Sequence, residues 1–337
     1  MSSNEDQNSC DKSIITYDTQ WPVYGLSWCT YDNSDDCQRL LLSSFRPDYK
    51  NYIHILNFHE REARISKLQE ISVTYPPTKV MWIPRNNDSH SDVFAYSADY
   101  LRIYKMDPYS SIPIVDSILN KDTTPDRCSP VSSFDWSEVN TNIIGAVSLD
   151  GICTLWDIVS QHPVSKIKAH TKEIYDIAFS SLNPDTFLTC GKDGSIRMFD
   201  MRTNGTYFIL YQNDNDLPIL RLSWNAINAT TVAFTSVDQS DISIVDMRKP
   251  QQCLPLRSHQ AAVNSISWSP VDSQFLVSGG EDRQCLIWDF ERLTGDKEFK
   301  PAYVYSAPSP IHNVSWAIKR TTWIALCFNN ALQMCKT

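Results

Sequence analysis

Two histidine–aspartate pairs have the residue types of acid–base or metal chemistry. His170 precedes Asp193 by 23 positions in "AHTKEIYDIAFSSLNPDTFLTCGKDGSIRMFD" (169–200). His259 precedes Asp282 by the same interval in "SHQAAVNSISWSPVDSQFLVSGGEDRQCLIWD" (258–289). An imidazole beside a carboxylate is a general base with its orienting group, or half of a metal site. The surroundings argue for neither. Each aspartate follows a hydroxyl by four residues, Thr189 or Ser278, and precedes an aromatic–aspartate pair by six, Phe199–Asp200 or Trp288–Asp289. A catalytic dyad has no reason to recur with all its neighbours in register, whereas a buried network bridging adjacent strands does. His170, Thr189 and Asp193, with His259, Ser278, Asp282 and Trp288, are therefore assigned to the scaffold. Phe199 has no indole N–H, so the network around His170 is expected to be one hydrogen bond shorter. Elsewhere the histidine slot, nine residues before an aromatic, holds Arg127 or Asn215.

The elements that must position these groups repeat. A short alternating run ending in an aromatic recurs seven times, at Trp28, Trp82, Trp136, Phe179, Trp224, Trp268 and Trp316, with the two histidine segments 89 residues apart. The runs have the period-2 alternation and the β-branched and aromatic content of strands. A repeat near 40–45 residues with four strands per unit is the pattern of a WD-repeat propeller. The sequence thus predicts an all-β fold, a seven-bladed WD40-type β-propeller over residues 13–337, preceded by an acidic tail at 1–12 expected to be disordered. After "IHNVSW" the chain has room for only three strands, so "SIITYD" (13–18) is expected to supply the fourth and close the ring, removing a free sheet edge.

Composition narrows the partners. The formal charge of −9 and a pI near 5.2 oppose broad contact with nucleic acid or anionic lipid, so no direct nucleic acid and no membrane are expected. The first dozen residues contain no apolar h-region, and no run approaches the roughly eighteen apolar residues of a membrane span. Residence in cytoplasm and nucleus is the expectation. The ten cysteines include no C-x-x-C pair, so they read as reduced and mostly buried, with no metal and no cofactor. There is no G-x-G-x-x-G, Walker loop or G-x-S-x-G elbow. "HERE" (59–62) places Ala63 where a zinc-protease motif needs its second histidine, so His59 is expected to be solvated. The reading is not an enzyme.

A propeller without chemistry presents loops. The residues four before each aromatic, Tyr24, Thr78, Ser132, Tyr175, Leu220, Asn264 and His312, should ring the central opening on one face. Lys192 and Glu281, each preceding a turn aspartate, join them. This mixture of aromatic and polar groups suits an interface centre.

Longer blocks carry a closer likeness. "YPPTKVMWIPR" (75–85), "ADYLRIY" (98–104), "SSFDWSEVN" (132–140), "HTKEIYDIAFS" (170–180), "DGSIRMFDMR" (193–202), "LPILRLSWN" (217–225), "AAVNSISWSP" (261–270) and "WIALCFNNALQ" (323–333) resemble one WD-repeat family. Its plant members are the Transparent Testa Glabra and anthocyanin regulators. Its animal member is the WD-repeat adaptor of DYRK- and HIPK-class kinases, also counted among cullin-RING ligase substrate receptors. The resemblance implies a non-enzymatic, monomeric scaffold holding a kinase of that class, helix-loop-helix or MYB regulators, or both. It also implies a ligase adaptor as partner through W-D-x-R, which is degraded here to "FDMR" ending in Arg202 and "VDMR" ending in Arg248. Both guanidiniums are expected on one face, each able to meet a partner carboxylate. A histone or peptide-tail reader is a further alternative, with Tyr24 and Tyr175 at its mouth. The loop at 85–92 and the tail depart from the family blocks.

Overall fold

Strands bury their pleated faces between neighbouring sheets, and here every sheet has two neighbours. The computed structural model describes residues 14–30, 37–84, 92–107, 112–119, 129–203, 205–213, 215–291, 299–318 and 322–337. Among these, 28 strands form seven four-stranded antiparallel sheets. The expected tail at 1–12, Arg127 and most of the 85–92 loop lie outside the described residues. Blades 1 to 6 are consecutive meanders, starting at Val23, Lys79, Val131, Ile174, Ile219 and Val263. Blade 7 combines Ile311–Trp316, Trp323–Phe328 and β28 (Ala331–Lys336) with β1 (Ile14–Asp18). β1 pairs antiparallel with β28, from Ile14 opposite Cys335 to Asp18 opposite Ala331, so the N-terminal strand closes the ring.

Burial explains the sequence pattern. The second strands "VFAYS" (Val93–Ser97), "IIGAVS" (Ile143–Ser148) and "WIALCF" (Trp323–Phe328) are buried at every position. A strand covered on both faces reads as a continuous apolar run. The outermost strands have one free edge, and "HPVSKIK" (His162–Lys168) is accordingly largely exposed. The core is annular, made of seven clusters, each between two adjacent blades. In one, Trp28 and Phe58 of blade 1 pack with Trp323 and Cys327 of blade 7; in another, Ile244 of blade 5 packs with Trp268 and Trp288 of blade 6. Each fully buried large side chain contributes about 1.5–3 kcal/mol. Between blades 6 and 7 the fit is close: a Cβ on Gly279 would stand 2.6 Å from side-chain atoms of Ile311 and Val314.

Alternation of strand direction sorts the connections onto two faces. First strands begin at one end, called the mouth face, and finish at their aromatics on the far face. The turns between second and third strands return to the mouth face, and third strands end on the far face. In six of the seven first strands the pairing register breaks just after the start, a β-bulge that spans the residue four before the aromatic. Such a bulge re-aims its side chain. That is how six of the expected mouth residues leave the core, while Thr78 stands just before its strand; all seven are half-buried.

Candidate functional site

The histidine networks come first because they hold the turns of the mouth face. His259 Nδ1 lies 2.9 Å from Asp282 and its Nε2 2.8 Å from Ser278 Oγ, to which Trp288 Nε1 donates at 3.0 Å. His170 makes the same two contacts, 2.9 Å to Asp193 and 2.8 Å to Thr189. Both imidazoles have no exposed side-chain surface, so neither reaches a substrate. Burial pushes the His259 pKa down, against the attraction of Asp282. Burial also opposes ionisation of Asp193, yet hydrogen bonds and charge from His170, with hydrogen bonds from Ser195, hold its carboxyl well below the usual range. The network around His170 is not shorter, as the missing indole had suggested. Arg197 enters it, donating to Asp193 at 2.9 Å, to Ser195 Oγ at 3.0 Å and to the Ala169 carbonyl at 2.8 Å. The matching residue in blade 6 is Leu286, so a donor lost at one strand position is replaced from another. Asn215, in the histidine slot of blade 5, is an exposed turn residue. His59 is also not simply solvated: it is half-buried, with Nε2 3.0 Å from Ser66 Oγ.

At the mouth, several expected binding residues are spent on the next blade. Thr78 Oγ1 donates to the Val131 carbonyl at 3.0 Å, Ser132 Oγ to Ile174 at 2.6 Å, and Asn264 Nδ2 to Ile311 at 2.9 Å. These are inter-blade staples. Asn264 also meets Glu281 at 2.7 Å, and Lys192 pairs with Glu173 at 2.9 Å. Tyr24 packs on Phe45 with centroids 4.8 Å apart, while its hydroxyl accepts Arg221 Nη2 from blade 5 across the opening at 2.8 Å. Tyr175, Leu220 and His312 complete the rim, half-buried.

On the far face, Arg202 and Arg248 are presented in the same way. Each follows a third strand by two residues and reaches back to the aspartate ending it. Arg202 Nη2 and Nε lie 2.6 and 2.9 Å from Asp200; Arg248 makes the same contacts with Asp246 at 2.6 and 3.0 Å. The arginine hydrogen bonds bring both carboxyl pKa values down to about 2. The guanidiniums remain 67% and 70% exposed, so both are accessible to a partner. Between blades 4 and 5 lies a groove of about 560 Å³ lined by Met198, Phe199, Tyr207, Phe208, Trp224 and Met247. Asp200, the partner of Arg202, also lines it, as does Met247, the chain neighbour of Arg248.

Comparison with known proteins supplies the lineage. The family model for the WD domain, G-beta repeat, matches residues 161–200 and 249–289, the two segments with histidine networks. A DDB1- and CUL4-associated factor 7 homolog of Dictyostelium discoideum is 35% identical over 326 residues, 96% of this chain and 99% of the relative. The chain belongs to that family of WD-repeat proteins. A WD repeat-containing protein of Saccharomyces cerevisiae is 28% identical over 82% of this chain and 58% of its own length. An uncharacterized WD repeat-containing protein of Schizosaccharomyces pombe is 24% identical over 96% and 90%. As a propeller of the DDB1- and CUL4-associated factor 7 family, this chain is a protein-interaction adaptor.

Sequence reading missed the charges inside this family member's channel. Lys79, Asp176 and Arg221 stand three residues before their aromatics, on inward-facing strand positions. Asp176 accepts Ser133 Oγ at 2.6 Å and the Leu222 amide at 3.1 Å, with Lys79 Nζ 3.6 Å away. With the Arg221–Tyr24 contact they close the channel at its waist. The available signal was a charge inside an alternating strand, where a solvated side chain has no place.

Proposed function

We propose that this chain is a two-faced adaptor: the far face docks on a cullin-RING ligase adaptor of the DDB1 type, and the mouth face receives the protein delivered to it. The observation that carries this reading is the matching, exposed presentation of Arg202 and Arg248, each on its own strand-ending aspartate, with Asp185 a further 3.6 Å neighbour of Arg202 alone. A guanidinium already oriented by its own aspartate loses little side-chain entropy when a second carboxylate approaches, and its fork geometry favours bidentate pairing. The aromatic groove lined by Asp200 and Met247 offers the desolvated centre that an interface needs. The name of the Dictyostelium relative, associated with DDB1 and CUL4, supports the same assignment.

The delivered proteins would be of the classes implied by the family resemblance, DYRK- or HIPK-class kinases and helix-loop-helix or MYB regulators, in cytoplasm and nucleus. The exposed Phe45 packed at a tilt against Tyr24 favours a protein partner at the mouth, and a peptide tail entering there is the variant of this reading. Binding of purified ligase adaptor to the wild type and to Arg202→Glu/Arg248→Glu tests the assignment. Both side chains are exposed, so the variant should melt as the wild type does, while affinity falls by about 100-fold or more. Unchanged affinity removes the ligase reading.

A further inference from the structure

Beyond the waist the channel widens toward the far face into a chamber of about 330 Å³. Hydroxyls and aliphatic groups wall it, among them Ser27, Ser223 and Ser267 with Met81, Ala226 and Ile318, while Trp28, Trp82 and Trp136 stand buried behind them. Two carboxylates, Asp135 and Glu138, stand in it with one ammonium, Lys79. Asp135 is the unusual member. It occupies the position before the aromatic of its strand, where blades 1, 5, 6 and 7 carry Ser27, Ser223, Ser267 and Ser315. The work done there needs only a hydroxyl: Ser27 Oγ accepts the Trp82 amide at 3.2 Å, as Asp135 Oδ2 accepts the Phe179 amide at 2.7 Å. Its remaining acceptor capacity meets no side-chain donor among the described residues. Burial pushes its carboxyl above the usual range, with Lys79 and the amides of Phe179 and Trp136 opposing. A carboxylate placed at such a cost where serine suffices marks a binding position.

Lys79 does not satisfy it alone, because its ammonium is directed to Asp176 at the waist, 3.6 Å away. The chamber therefore holds two carboxylates against one shared cation. We propose that this chamber is a socket for a basic side chain of a partner protein, an arginine or lysine inserted from the far face with its charge at Asp135 and Glu138. The volume suits one such side chain, and Met81, Ala226 and Ile318 suit its aliphatic stem. This site is separate from Arg202 and Arg248 and attracts the opposite charge, so it stands independently of the ligase reading.

Titrating the whole chain with the peptide acetyl-Ala-Ala-Arg-Ala-Ala-amide and with its neutral citrulline counterpart, by calorimetry or NMR shifts, tests the proposal. The arginine peptide should bind about tenfold or more tighter than the citrulline peptide. Glu138→Gln and Asp135→Asn should each remove most of that difference. Asp135→Asn retains an oxygen for the Phe179 amide, and Glu138 is exposed, so at least the second variant keeps the fold intact. Affinity should also decline on acidification, at a pH above that of an ordinary carboxylate, as Asp135 protonates among Lys79, Asp176 and Glu138. Equal binding of the two peptides, no binding of either, or a difference unaltered in Glu138→Gln overturns the proposal.

Discussion

A buried imidazole keeps its place only while both ring nitrogens have partners, and in blades 4 and 6 both do. His259→Ala would leave Asp282 with only the amides of Gln260 and Gln284, and Ser278 with the Trp288 indole and the Leu286 carbonyl. The expected loss is about 2–3 kcal/mol, read from the urea midpoint. Linkage gives the pH dependence. The folded pKa of His259 is lowered from a value near 6.5 in the unfolded chain, so the unfolded state binds more protons between the two. Stability is full above about pH 6.5 and falls as pH drops toward the folded value. Asp193, held low in the fold, adds a second loss below about pH 4. His259→Ala should make the first limb shallower, leaving the share of His54, whose pKa burial also lowers, and should leave the second. Arg197→Leu, which copies blade 6, should destabilise blade 4 by about 1–2 kcal/mol, because Phe199 offers no donor in exchange. No change in its urea midpoint would mean that the arginine is incidental. The histidine, hydroxyl and aspartate were legible because fixed spacing repeated them. Arg197 was not, since it occurs once and compensates for an absence.

Strands were more legible than their contacts. Seven aromatics at regular spacing announced the blades, and a shortage of one strand at the end announced the role of β1. The bulges gave no sequence signal, so the residues chosen for the mouth included Thr78, Ser132 and Asn264, whose polar atoms staple one blade to the next. Turn chemistry was readable at Gly194, which has φ +71°, but its blade 6 counterpart Arg283 adopts φ +65° without being glycine. Closure rests on more than the pairing of β1. Tyr17 OH lies 3.1 Å from His54 Nδ1, and His54 Nε2 2.9 Å from Glu70, joining β1 to blade 1. Removing residues 1–18 should take away this latch with Ile15, which is 7% exposed in the core between blades 7 and 1. It also bares the edge of β28, a template for intermolecular pairing. The truncated chain is expected to melt earlier and elute as higher oligomers in size-exclusion chromatography. An unchanged melt with a single species of native size would show that closure does not depend on this strand.

At the scale of the molecule, a closed ring separates its two faces. The sheets are fixed by seven shared layers of core, which hold the two faces apart. The far face carries Arg202, Arg248 and the chamber; the mouth face carries Tyr24, Phe45 and the half-buried rim. Partner classes were readable only through resemblance, because recognition depends on side chains converging from different blades, and single-sequence spacing does not show convergence. The two arginines were singled out through the W-D-x-R motif that the resemblance supplied, whereas Asp135 looked like one more acidic residue in an acidic chain.

The most direct measurement is the set of proteins recovered with the intact chain from its own cells, compared with the set recovered with Arg202→Glu/Arg248→Glu at equal expression. Independent faces predict that the cullin-ligase components disappear while kinases or transcription regulators bound at the mouth remain. Recovery of the ligase components with both forms, or joint loss of both sets from a variant that melts normally, would contradict a rigid adaptor with two separate docking faces.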